Sequence, residues 1–324
     1  MPRYNSNVSI TNKTIAGMSL GGGRKENFFF CLLEYFPSED RWFLSQLKQV
    51  EDEKPMDRDE LIMKWISNHQ LTKLIVDFPL SRPTCDVCEL ECPGTEACHH
   101  PVVTQIRNEI DTLLGADQKL IYENPKKYEQ ERVESNLVQY SKDLYAKETT
   151  TPLLSRPFKR KLRKGYLPYW NRPVDFWIWK NFYDQALELF NISYDSFGNV
   201  SIMLLNRFKY LRKHFPDELS IFESNTYVVL MELYRADIVT MKMLRELQDI
   251  QMSPVAKLDI IRAIENKLKI FIYEHDLESI VKSPKAFDSF LLAVAGRSLV
   301  MNNNRKIPTI GNETIENFVI PNFS

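Results

Sequence analysis

The sequence predicts an α/β fold with a mixed sheet, in which three antiparallel-compatible strands precede parallel strands and helices. Three observations carry this prediction. Strand-like runs joined by a tight turn fill residues 13–48, a short apolar run at Leu74-Ile75-Val76 follows an amphipathic helix, and helical spacing dominates beyond residue 100.

Residues 13–23, KTIAGMSLGGG, read as a strand running into a triple glycine. Residues 27–36 and 41–48 read as two more strands, and the Pro37-Ser38-Glu39-Asp40 turn between them makes a hairpin. Cys31 lies in the middle strand and reads as core. Residues 57–69 set Leu61, Ile62, Trp65 and Ile66 at helical spacing behind Asp57 as a cap. Leu74-Ile75-Val76 then reads as a buried parallel strand that Pro79 stops from continuing, with Asp77 at its carboxyl end. A carboxylate there occupies the usual functional position of an α/β sheet, although an Asp can also simply cap a turn.

Residues 101–114 read as helical, and 116–170 as polar and proline-punctuated. Helices are predicted at 174–190 and 199–214, a strand at 218–225, and helices at 226–248, 254–274 and 284–300. Residues 170–190 form a core helix with an aromatic stripe, with Arg172 and Asp175 able to pair at its first turn. The organisation expected is one domain over 13–300, carrying a Cys-rich loop at 81–100 and an insertion at 116–215. It is flanked by a flexible segment 1–12 and an irregular tail 301–324.

The 324 residues suffice for a full core, and 44% hydrophobic with 26% charged residues is ordinary for a folded protein. A net charge of -1 gives no global attraction to nucleic acid or membrane, so such affinity must come from a local patch. No apolar run approaches the roughly 20 residues that span a bilayer, so no membrane partner is expected. The first residues lack the charged-then-apolar order of a signal peptide, and a cytoplasmic location is expected.

Four of the five cysteines fall between residues 85 and 98 as Cys85-x2-Cys88-x3-Cys92-x5-Cys98, with His99 and His100 directly behind. In a reducing compartment clustered thiols point to a metal rather than to disulfides. Four thiolates, or three and a histidine, suit structural Zn2+; an iron–sulfur cluster is the alternative, and free thiols the plain one. A second patch, residues 155–173, places Arg156, Lys159, Arg160, Lys161, Arg163, Lys164 and Arg172 beside Phe158, Tyr166, Tyr169 and Trp170. The cations and Trp170 form a candidate nucleic-acid surface of phosphate contacts and base stacking. The alternative is a solvated basic loop.

Four short stretches, AGMSLGGG, VDFPLSRP, IFESN and AFDSFLLAVAG, resemble in order the motifs of the predicted RNase H-like nuclease family. That resemblance covers residues 13–300 and implies an RNase H-like sheet. It also implies metal-dependent nuclease or phosphodiesterase chemistry, in which Asp77, Glu223 and Asp288 hold Mg2+ or Mn2+. Each carboxylate taken alone reads as structural rather than catalytic, and their value lies in occurring together in the expected order. The chain departs from the family at Ser19, where an acidic residue is expected. A hydroxyl can lend an oxygen but no charge, so weak or absent catalysis is expected. The other function class is a non-catalytic module on the same scaffold that binds nucleic acid or a protein partner, which the sequence does not identify. The run Gly21-Gly22-Gly23-Arg24 reads as a tight turn or, alternatively, a phosphate cradle.

Overall fold

β1 (Lys13–Ser19) runs from an exposed lysine into five consecutive buried residues, as a strand covered on both faces must. It belongs to a computed structural model that describes residues 13–19, 28–49, 58–126, 128–130, 154–191, 202–307 and 317–323. The Gly21-Gly22-Gly23-Arg24 run, residues 1–12 and much of the insertion lie outside the described residues.

β2 (Phe29–Phe36) and β3 (Arg41–Gln49) continue β1 as an antiparallel meander. Asp40, at a φ of 46°, closes the turn between them and accepts a 2.9 Å hydrogen bond from the Tyr35 hydroxyl. α1 (Arg58–Asn68) then carries the chain to β4 (Lys73–Val76), which lies parallel to β1. After α2 (Thr84–Val87), α3 (Pro101–Glu123), α4 (Arg156–Lys164), α5 (Pro173–Phe190) and α6 (Ile202–Arg212), β5 (Ser220–Glu223) joins parallel to β4. α7 (Thr226–Arg235), α8 (Met241–Glu246) and α9 (Ser253–Leu268) lead to β6 (Ile270–Phe271), parallel to β3; α10 (Glu274–Lys282) and α11 (Pro284–Val300) follow. The sheet order is β5-β4-β1-β2-β3-β6. The α/β class with a mixed sheet is therefore observed.

The period of two along each strand divides the core. Ala16, Met18, Leu32, Leu74 and Val76 pack with Leu61, Ile62, Trp65 and Ile66 of α1 and Phe208 and Leu211 of α6. Ile15, Cys31, Leu33 and Ile75 face the other way, onto the larger cluster that contains α11. Cys31 is buried there as expected, and burial raises its thiol pKa far above the ordinary value.

α11 presses directly on β1. A Cβ on Gly17 would stand 2.2 Å from the Ser289 carbonyl oxygen and 2.4 Å from the Ala293 nitrogen, and one on Gly296 would meet Ile15 Cγ1 at 2.3 Å. Both glycines are therefore required by the close approach of helix and strand. Phe287, Phe290, Leu291, Leu292 and Val294 of α11 are all buried, each contributing about 1.5–3 kcal/mol of burial. That contact fixes the first turn of α11 over the carboxyl ends of β1 and β4.

Several elements differ from the expectation. The 226–248 helix breaks into α7 and α8 because Asp237 adopts a φ of 58° and Thr240 opens a new cap. The 254–274 helix ends when Lys269, at a φ of 53°, turns the chain into the two-residue β6. In the insertion, α4 is a regular helix capped by Ser155, whose hydroxyl accepts from Phe158 N at 3.1 Å. Phe318, Val319 and Ile320 of the tail are buried: β7 (Asn304–Arg305) pairs with β8 (Ile320–Pro321), and Val319 N donates to the Glu223 carbonyl at 2.8 Å. The described end of the tail thus covers the β5 edge of the sheet. Among the described residues no helix is long and apolar enough to cross a membrane.

Candidate functional site

The register of the sheet assembles the first group. β1 and β4 are parallel with Met18 beside Val76, so the next residues, Ser19 and Asp77, sit side by side. Both are in phase with Ile15 and Ile75, on the α11 face. Ser19 Oγ donates to Asp77 Oδ2 at 2.5 Å. Ser283 caps α11, accepting from Ala286 N at 3.3 Å, and this places Lys285 and Asp288 three residues apart above the strand ends. Lys285 Nζ lies 3.1 Å from Ser19 Oγ, 3.3 Å from Asp77 Oδ2 and 3.2 Å from Asp288 Oδ2. Three of the four predicted catalytic residues are thus brought together, around a lysine that the motif comparison passed over.

The electrostatics define what this group can do. Burial opposes the charge on Lys285, but the charges of Asp77 and Asp288 outweigh it and raise its pKa. An ammonium held that firmly is not a general base. Asp288 is pushed up, first by burial and also by Asp77, while Lys285 pulls it down. Ser19 is fully buried and donates its proton to a carboxylate, so it is not presented as a nucleophile.

Glu223 belongs to a second group. It pairs in register with Val76 rather than with Asp77, one residue out of phase with the α11 face. Its Oε2 accepts from Arg172 Nη1 at 2.8 Å and from Leu80 N at 3.0 Å, and its Oε1 accepts from Arg172 Nη2 at 2.9 Å. Arg172 also donates to Asp175, from Nη2 at 2.9 Å and from its backbone N at 2.8 Å, completing the helix-capping pair expected from sequence. Nη1 reaches Ser81 Oγ at 3.4 Å. Burial works against the guanidinium, and the charges of Glu223 and Asp175 more than offset it, so its pKa is raised. Arg172 is only 2% exposed and does not belong to a nucleic-acid surface, in correction of the expectation.

A pair of divalent ions needs several carboxylates with oxygens to spare. Here both oxygens of Glu223 are taken by Arg172, Asp77 and Asp288 share the Lys285 ammonium, and Ser19 adds no charge. The residues present do not fit such a pair.

The Cys loop leaves β4 through residues 78–83 and is tied down at both ends. Cys85 N donates to the Pro168 carbonyl at 2.9 Å, and Arg107 of α3 donates to the carbonyls of Thr95 and of Glu96, the latter at 2.8 Å. Cys85 and Cys92 are exposed, Cys88 and Cys98 half-buried, and all four thiols are free. Among the described residues no three His, Cys, Asp or Glu groups close on a common point as metal ligands. The thiols nevertheless share one neighbourhood: the Cys85 pKa is raised, first by partial burial and then by charges on Cys98, Cys92 and Cys88. His100 Nδ1, at the start of α3, is buried without a partner. Thiolates and imidazole are donor types that zinc takes, but in this structure the described groups do not converge on one point.

The basic segment divides. Phe158 and Leu162 of α4 are buried, and the cations opposite them, Arg156, Arg160, Arg163 and Lys164, are exposed. Lys159 turns inward to Asp117 and the Tyr128 hydroxyl, each at 2.9 Å, and Lys161 lies 4.2 Å from the Trp179 ring centre. Trp170 is half-exposed.

Comparison of the chain with family models, with curated proteins and with solved structures finds no match.

Proposed function

We propose that the protein binds nucleic acid on an RNase H-like scaffold whose strand-end acidic group serves structure rather than catalysis. The observation that carries the binding is the row of four exposed cations on α4, set on a chain whose net charge is only -1. The scaffold reading is supported by the antiparallel β1-β2-β3 meander, with β4 added parallel to β1 and β5 parallel to β4. The non-catalytic reading is supported by Lys285 between Asp77 and Asp288, and by the Arg172 fork on Glu223.

A metal-dependent nuclease is the second reading, favoured by the convergence of Asp77 and Asp288 from a strand end and a helix. Single- and double-stranded DNA and RNA, incubated with magnesium or manganese, separate the two. The expected result is binding that weakens steeply with salt and leaves every substrate intact. Metal-dependent cleavage that disappears in Asp77→Asn would establish the nuclease reading instead. Neither cleavage nor salt-sensitive binding would leave a protein-interaction role.

The Cys loop, in the same proposal, holds structural zinc on Cys85, Cys88, Cys92 and Cys98, with His100 adjacent. Closed thiolate sites contribute folding free energy directly. Protein purified without chelator is expected to carry zinc by elemental analysis, and Cys85→Ser with Cys88→Ser to become protease-sensitive within residues 81–105. Iron in place of zinc would select the cluster alternative; no metal, with four freely titrating thiols in the folded protein, would remove the site.

A further inference from the structure

The turn that follows α4 presents two large aromatic rings to solvent, five and six residues after the last cation of the row. Gly165, at a φ of 81°, ends the helix and sends the chain back. The turn is then braced from within. The Tyr166 hydroxyl donates to the Asn171 carbonyl at 2.8 Å, Leu167 N to Asn171 Oδ1 at 3.1 Å, and Asn171 N to the Leu167 carbonyl at 2.7 Å. The Pro168 carbonyl accepts from Cys85, and Arg172 is locked in its buried fork. With Tyr166, Pro168, Asn171 and Arg172 all facing inward, Tyr169 and Trp170 remain outside, 54% and 45% exposed.

On α4 the exposed cations stand at i, i+4, i+7 and i+8, one continuous face about 12 Å long at 1.5 Å per residue. Arg156, Arg160, Arg163 and Lys164 form no ion pair among the described residues. A protein surface that leaves a Tyr and a Trp exposed on a braced turn forgoes their burial free energy, and an apolar partner would not match the four exposed cations that precede them in the chain.

We infer that this surface takes a single strand of nucleic acid, whose phosphates follow α4 and whose bases stack on Tyr169 and Trp170. The inference rests on the nucleic-acid reading above and names its substrate class. A duplex satisfies the cations equally well, but its base faces are already stacked on one another and leave the rings idle. In a single strand both sets of groups are engaged, and the braced turn loses little conformational freedom on binding.

Fluorescence anisotropy of the full chain with labelled oligo-dT, oligo-rU and a duplex of equal length tests this. Single strands are expected to bind more tightly than the duplex, with log K falling against log salt at a slope of about -3 for four phosphate contacts. Arg160→Glu with Arg163→Glu should reduce that slope to about half. Trp170→Ala should weaken single-strand binding about tenfold and leave the slope unchanged, with Tyr169→Ala as the independent second probe. Circular dichroism should report intact folding for all of these, since the altered side chains are exposed. Duplex binding as tight as single-strand binding, or no effect from either aromatic variant, overturns the single-strand inference and leaves nucleic-acid binding standing. Absence of salt-sensitive binding to any probe overturns both.

Discussion

Arg172→Met is expected to lower the free energy of unfolding by about 3–5 kcal/mol, because it leaves two carboxylates buried without their counter-ion. The fork is well made: Arg172 is 2% exposed, spans Glu223 and Asp175, and each acid receives a further backbone donor. Its loss therefore strands charges rather than merely subtracting contacts. Urea unfolding measures the effect. Combining Arg172→Met with Glu223→Gln and Asp175→Asn should recover part of the loss, since neutral amides cost far less to bury than carboxylates. A loss below about 1 kcal/mol would show that the acids find water or other donors, against the reading of Arg172 as the buried anchor. The same substitution should also loosen the Cys loop, which Arg172 touches through Ser81.

Much of this architecture is legible in the sequence, and the boundary of legibility is physical. Strands with strong alternation or continuous apolar composition, such as residues 29–36 and 74–76, announce themselves because burial on one or both faces dictates their residues. The two-residue β6 and β7 carry too few positions to have a period. α4 is hidden because only Phe158 and Leu162 face the core, and in RPFKRKLRK the cations dominate any reading of the segment. The tail is hidden for a related reason. A short apolar run, Phe318 to Ile320, gains its place only once the β5 edge exists to receive it.

The candidate site was legible in its acids and illegible in its bases. The family resemblance pointed to Ser19, Asp77 and Asp288, and the register brings them together. It also selected Glu223, which the one-residue phase between Val76 and Asp77 directs to a different partner. In the sequence Arg172 fits both a helix-cap partner of Asp175 and a nucleic-acid contact, and its burial leaves only the first role. A signal for Lys285 did exist. The stretch Ser283-Pro284-Lys285 opens a helix, and a cation in the first turn opposes the helix dipole, which favours acids there. Asp288 three residues on, together with Asp77 opposite, offsets that cost.

Lys285→Met provides the sharpest separation of the two functional readings. In the native protein the Lys285 ammonium lies 3.3 and 3.2 Å from Asp77 and Asp288, so an incoming divalent ion must displace it. Removing that ammonium takes away the cation that the two carboxylates share, beside a neutral hydroxyl. The variant is expected to be less stable by about 1.5–3 kcal/mol, the range for hydrogen bonds to charged groups. It should also acquire a divalent-ion site that the native chain lacks. Manganese should therefore leave the native thermal midpoint unchanged and stabilise Lys285→Met, by about 2.7 kcal/mol once the ion reaches a hundredfold excess over its Kd. Asp77→Asn placed on the Lys285→Met background should erase the manganese effect, because it removes one of the two charges that hold the ion. Native protein that manganese stabilises as strongly as it does the variant would mean that Lys285 yields readily. The acidic pair would then be a working metal site, and the nuclease reading would take precedence over binding alone.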